Sequence, residues 1–362
     1  MLRTGARHPD ADDIAAASTS RDDDAQLYST LNEYLQLEHK FQPRLCLPES
    51  LENGEVTTRA RDGAAHVLRC LKVWYDLPCD VLINAINLFD RFLTKMKVRP
   101  CHVPCITVSC MNIAIEQRAV DTGTARNVSV EELVSISQSA CTAGDVVRMS
   151  RVISDKLSLA ANMRAVTALH WLTLFTKIVN VAARQLGITL QAQESELANQ
   201  LEICACAASC ANARVCELAL VILCHRLDQQ IQEWSRAITS EGGDPERVYY
   251  LYDFVAQLQA HCNMSESSLV STRATVLSVW ESYERRSAAP QRQRLVWRLS
   301  ERTLKVLRPT DRLTSLLPTI EEQQHLAHDQ TPPRNRSGSE CRESEETSDW
   351  PRSPVLPVYC DN

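Results

Sequence analysis

Residues able to do chemistry are present in this chain but stand apart. His66, His102, His170 and His225 each sit alone within a helical stretch or at its start. Catalysis needs convergent polar groups such as a nucleophile and base or paired carboxylates, and each of these isolated histidines reads as structural. No GxGxxG, GxxxxGK[ST], GxSxG or HExxH pattern occurs, so neither a phosphate-cradling loop nor a zinc-protease helix is indicated. Cys206 and Cys210 lie one helical turn apart, with His225 further on, a spacing that a metal could use. The fifteen cysteines, however, are scattered through helix interiors without a single CxxC pair. They read as small core apolar residues in a reducing compartment, and no metal or cofactor is expected. The sequence points to a protein that is not an enzyme.

One charged residue does demand an explanation. In Leu82 to Val98, LINAINLFDRFLTKMKV, the residues Leu82, Ile86, Phe89 and Leu93 form one helical stripe. Ala85, Phe92 and Met96 widen it, while Ile83 and Leu88 lie off it. A helix apolar on more than one face belongs in the middle of a bundle. Asp90 falls on the shoulder beside Ile83 and Ile86, where an unpaired carboxylate would cost several kcal/mol. Arg91 points nearly opposite and is expected in solvent. The cation that meets Asp90 must come from another helix.

The elements that place this helix follow from the pattern on either side. Hydrophobic residues at 44% and charged residues at 23%, with nine glycines in 362 residues, fit an all-α globular chain. No run of eighteen apolar residues occurs and no apolar signal region follows the first Arg residues. A soluble intracellular chain without a membrane partner is expected. Residues 1–25 carry six Asp against three Arg and read as a disordered tail. From Gln26, Leu27, Leu31 and Leu35 mark a short amphipathic helix that caps a bundle. Thr57 or Thr58 can N-cap the next helix, whose buried side carries Val67, Leu68 and Leu71. Pro78 opens the central helix; Pro100 stops it and Pro104 starts a third, apolar nearly all round. A fourth helix covers VSVEELVSISQSA, and Gly144 breaks the chain before a fifth with Val146, Met149, Ile153 and Leu157 on one face.

A second set of five follows with similar rhythm, near 165–185, 192–210, 213–230, 244–261 and 266–284, its third member again the most apolar. The reading is two tandem five-helix domains with disordered acidic termini. Their bounds are 26–160 for the N-terminal helix and first domain and 161–285 for the second, divergent one. A basic helical extension covers 286–321, and a Pro/Ser/Glu/Thr-rich tail covers 322–362.

Helix two, with NLFDRFLTKMKV, resembles the cyclin box, whose second helix ends in an Asp-Arg-Phe-Leu signature. The resemblance implies that Asp90 pairs with an Arg twenty-nine residues upstream, and that residue is Arg61. DRFLTKMKV, Ser109-Cys110, and beyond the second box QRLVW (293–297), Ser300, Arg302-Thr303 and LPTI (317–320) are similar to the cyclin G type. The resemblance covers about 26–320 and implies a non-catalytic regulator of cell cycle, growth and stress responses. Its implied partners are a cyclin-dependent kinase and a regulatory subunit of the type 2A protein phosphatase.

Departures from the cyclin pattern bear on that kinase. Kinase-activating cyclins carry a Lys in helix three and a Glu in helix five of the first box, and here these positions are Glu116 and Ser150. Glu offers only acceptors where Lys offers three donors, so the resemblance implies a weakened kinase grip. The positions of the substrate-docking patch read Ala60, Gly63, Ala64 and Val67, with little apolar area to hold a peptide. The alternative is an adaptor that recruits the phosphatase subunit without activating a kinase. In the basic segment, Arg294, Arg298, Arg302, Lys305 and Arg308 form a partner-binding edge, more in keeping with a protein partner than with nucleic acid. No clear nuclear signal is present, and both nucleus and cytoplasm are expected.

Overall fold

The computed structural model of the chain describes residues 11–50, 54–126, 128–159, 165–190, 194–241 and 246–288. Within them the regular structure is entirely helical. The first helix, α1 (Ala11–Phe41), begins well before Gln26, through an alanine-rich stretch of high helix propensity. The central helix and its neighbours are α2 (Thr58–Trp74), α3 (Cys79–Lys95), α4 (Val103–Thr122), α5 (Val130–Ser137) and α6 (Ala143–Leu157). A second set comprises α7 (Ala168–Gln185), α8 (Glu194–Cys206), the one-turn α9 (Ala208–Ala211), α10 (Val215–Glu241), α11 (Glu246–His261) and α12 (Glu266–Ala288).

Local chemistry sets the helix ends. Thr57 caps α2, its hydroxyl accepting from the Ala60 N–H at 3.1 Å. Ser129 with Glu132 and Thr142 with Asp145 form reciprocal capping boxes at α5 and α6. Gly144 was expected to break the chain, yet it lies inside the first turn of α6, because the Thr142 cap starts the helix ahead of it. Gly123 ends α4 at φ 62°, a left-handed conformation that costs glycine nothing.

Eleven of the seventeen residues of α3 are buried, which makes it the centre of the first five-helix set. It packs on α4, α2 and α6, and Leu68, Leu82, Phe89, Ile106, Met111, Leu133 and Ile153 fill the core between them. Each large apolar side chain so buried contributes about 1.5–3 kcal/mol. In the second set α10 lies against α7 and α12, and Trp171, Phe175, Leu201, Leu220, Ile222 and Leu251 form its core.

Two findings differ from the sequence reading. The N-terminal helix was grouped with the first domain, yet its buried apolar residues, Leu31 and Phe41, join the second core. Tyr34 meets Trp171 edge-on at 5.6 Å, and the Glu38 carboxylate accepts from Arg214 at 2.9 Å and from the Cys216 N–H at 3.0 Å. The same helix corrects the placement of Arg91. That residue is only 9% exposed, its guanidinium 5.0 Å from the Phe41 ring centroid, and burial lowers its pKa. The far side of α3, open if the first set stood alone, is covered by the end of α1, where Asn87 also donates to the Phe41 carbonyl at 3.0 Å.

Candidate functional site

Helices α4 and α6 lie side by side because small polar residues let them approach. The Ser109 hydroxyl lies 2.8 Å from the Cys105 carbonyl of its own helix and 3.2 Å from the Val146 carbonyl of α6. One turn on, Asn112 is buried at 1% exposure in an otherwise apolar stretch. Its amide nitrogen donates to Glu116 Oε1 at 3.0 Å and to Ser150 Oγ at 3.3 Å. Its amide oxygen accepts from Arg126 Nη2 at 2.6 Å, and Arg126 Nη1 donates to Glu116 Oε1 at 2.8 Å.

Glu116 and Ser150 are therefore brought together through Asn112, with Arg126 closing the cluster from the loop after α4. The Glu116 side chain is half exposed at 52%, while Ser150 is buried and turned towards the Ser109 carbonyl. The cluster is neutral: one carboxylate faces one guanidinium, and Asn112 spends both ends of its amide inside it. Gln117, the next residue round α4, accepts from Asn84 at 2.7 Å. Such a surface presents few free donors to a partner.

Elsewhere in the same set, Arg61 of α2 and Asp90 of α3 form a bidentate pair, Nε to Oδ1 at 2.9 Å and Nη2 to Oδ2 at 2.6 Å. Both are nearly inaccessible, at 1% and 2%. Burial alone would lower the Arg61 pKa, but the charge and hydrogen bond of Asp90 overcome it and hold the guanidinium above its ordinary value. The pair fixes α2 against α3.

The two sets meet along α2 and α3, which both pack on α8. Glu202 of α8, 2% exposed, lies 2.9 Å from Lys72 Nζ and 3.6 Å from Arg69 Nε. Asp62 accepts from the Ala208 N–H at 2.7 Å, and Arg69 stacks over Tyr283 at 5.4 Å. Of the residues at the docking-patch positions, Ala60 and Ala64 are buried in the core and Gly63 and Val67 are half-buried, beside the α9 turn. Among the described residues no group of three or more His, Cys, Asp or Glu side chains could hold a metal ion, and no helix is long and apolar enough to cross a membrane. Arg294, Arg298, Arg302, Lys305 and Arg308 lie outside the described residues.

Sequence reasoning passed over Asn112 and Arg126. An Asn in the apolar run VSCMNIAI, one turn before Glu116, is the signal that could have found the first. Arg126 sits in a loop, where no periodicity says which way a side chain points.

The family model of the cyclin N-terminal domain matches residues 29–183. Cyclin G of Drosophila melanogaster is 38% identical over 344 residues, 92% of this chain and 57% of that protein, so this chain spans little more than half the length of that relative. Cyclin-G2 of Mus musculus is 30% identical over 318 residues, 86% of this chain and 85% of its own. Among solved structures, a viral cyclin from herpesvirus saimiri aligns over 63% of this chain and 89% of its own, at 14% identity and a TM-score of 0.43. This chain belongs to the cyclin G family. The all-α architecture of its described residues is in keeping with that family.

Proposed function

We propose that the chain binds a Ser/Thr protein kinase of the cyclin-dependent class through the α4–α6 face, with a weakened grip and without catalysis of its own. One observation carries this reading. Glu116 and Ser150, at the positions where the cyclin resemblance puts kinase-gripping Lys and Glu, are tied into a neutral cluster by Asn112 and Arg126. A kinase approaching this face meets acceptors already occupied from within the chain. Donors that would reach its carbonyls are absent at position 116.

The test is capture of cyclin-dependent kinases by wild-type protein and by the Glu116→Lys/Ser150→Glu double variant, restoring the gripping residue types. Stronger capture by the variant supports the reading. Full-strength capture of an active kinase by wild type, unchanged in the variant, contradicts it.

The closed cluster also favours a second reading, an adaptor that recruits a regulatory subunit of the type 2A protein phosphatase through another surface, in nucleus and cytoplasm. Binding of that purified subunit should be insensitive to the double variant. Loss of its binding in the variant would reject this alternative.

A further inference from the structure

A solvent-open cavity of about 550 Å³ lies where the start of α4 meets the segment leading into α6. Cys101, His102 and Cys105 line it on one side, Cys141 and Met149 on the other. Cys105 and Cys141 are both half-buried, so each is reachable from the cavity. They line the same cavity, and each thiol is the largest influence on the other's titration. The Cys105 S–H bonded to the Cys141 sulfur is the main influence holding the Cys141 thiol below its ordinary pKa. Burial opposes it, and the Ser139 hydroxyl and a backbone N–H add to it, while the nearby Asp145 carboxylate opposes. That carboxylate is itself engaged by Thr142 and Arg148. In return Cys105 is pushed up, so the two thiols shift in opposite directions and the pair gives up its first proton more readily than an isolated buried thiol.

No other cysteine pair among the described residues has this setting. Cys204 and Cys210 are also hydrogen-bonded, but at 0% and 3% exposure they are shut away from solutes. Cys70, Cys79, Cys110, Cys206, Cys216, Cys224 and Cys262 are all raised by burial, the setting of unreactive core thiols. Cys46 and Cys101 are exposed.

We propose that Cys105 and Cys141 form a hydroperoxide-reactive dithiol that closes to a disulfide between α4 and the N-terminus of α6. The Cys141 thiolate attacks one oxygen of hydrogen peroxide; an S–O bond forms, the O–O bond breaks, and the departing hydroxide takes a proton to leave as water. The Cys105 sulfur then attacks the sulfenic sulfur. An S–S bond forms, the S–O bond breaks, and the leaving hydroxide takes the Cys105 proton as a second water. Two thiols lose two electrons and two protons, and peroxide is reduced to two waters. The bridge joins α4, which carries Asn112, to the segment leading into α6, which carries Ser150.

The reduced full-length protein, treated with hydrogen peroxide and digested without reductant, tests this by peptide mapping. The expected result is an intramolecular link between Cys105 and Cys141 that forms before any other cysteine is oxidised, with the free-thiol count falling by two. Cys101→Ser should keep the link, and Cys105→Ser should leave a sulfenic acid on Cys141 that a cyclic dione traps. Oxidation of Cys46 or Cys101 first, with Cys105 and Cys141 still thiols, would overturn the proposal, as would loss of the link in Cys101→Ser. The wild-type and Cys101→Ser results decide the matter even if the Cys105→Ser protein fails to fold.

Discussion

Arg61 and Asp90, twenty-nine residues apart in the chain, meet as a buried fork of two hydrogen bonds at 2.9 and 2.6 Å. The spacing ties the start of α2 to the last turns of α3, and neither group has water to fall back on. Asp90→Ala leaves the Arg61 guanidinium buried beside Asp62 alone, 3.4 Å away. Breaking a buried pair on one side costs about 3–5 kcal/mol. Urea unfolding of Asp90→Ala should show a loss of that order. An Arg61→Met/Asp90→Leu double variant should recover most of it, because two apolar side chains leave no charge stranded.

Glu202 is the corresponding element at the junction of the two sets. It is 2% exposed, while Lys72 and Arg69 keep 20% and 24% of their side-chain surface. The cations can therefore turn to water when the carboxylate is removed, which discounts the loss. Glu202→Ala is expected to cost about 2–3 kcal/mol. Hydrogen exchange should rise in α8 and along the facing side of α2, with α5 and α11 unchanged. Uniform protection in all four helices would show that the junction does not depend on this contact.

His170 supplies a pH dependence. It takes the third position of the α7 capping box, its Nδ1 accepting from the Thr167 N–H at 3.2 Å and lying 2.9 Å from the Thr167 hydroxyl. Burial lowers its pKa, and the Asp80 and Asp121 carboxylates offset this only in part. His225 is lowered by burial as well. A histidine lowered in the fold stabilises it while neutral, so the contribution is fully present above the unfolded value near 6.5 and is lost as pH falls from there through the lower folded value. The urea midpoint should drop between pH 7.5 and 5.5. Gln is the usual capping residue at this position, so His170→Gln should keep the cap and flatten the dependence. An equally steep fall in His170→Gln would remove His170 from the account.

Much of this was legible in the chain. The stripe through Leu82, Ile86 and Phe89 marked the central helix, and its burial on several sides required a cation for Asp90. Thr57, Pro78, Pro104 and Gly123 mark helix ends because their backbone preferences act locally. Arg91 went the other way. Its burial depends on Phe41 arriving from a helix whose partner lies more than 120 residues further on, at Trp171 and Arg214, and no pattern within α3 carries that information. Arg126 was hidden for a related reason, since a loop side chain acquires its direction only from the groups it meets. Glu116 was legible as a residue type, whereas its neutralisation was not.

The central claim is that a cyclin G-type scaffold holds closed Glu116 and Ser150, the positions proposed to face a kinase. The most direct measurement is the affinity of purified cyclin-dependent kinases for wild-type protein and for Glu116→Lys/Ser150→Glu, by calorimetry at fixed ionic strength. The account predicts binding at least about tenfold tighter in the variant, a gain of about 1.4 kcal/mol. Equal affinities, with wild type already tight and the bound kinase active, would contradict it.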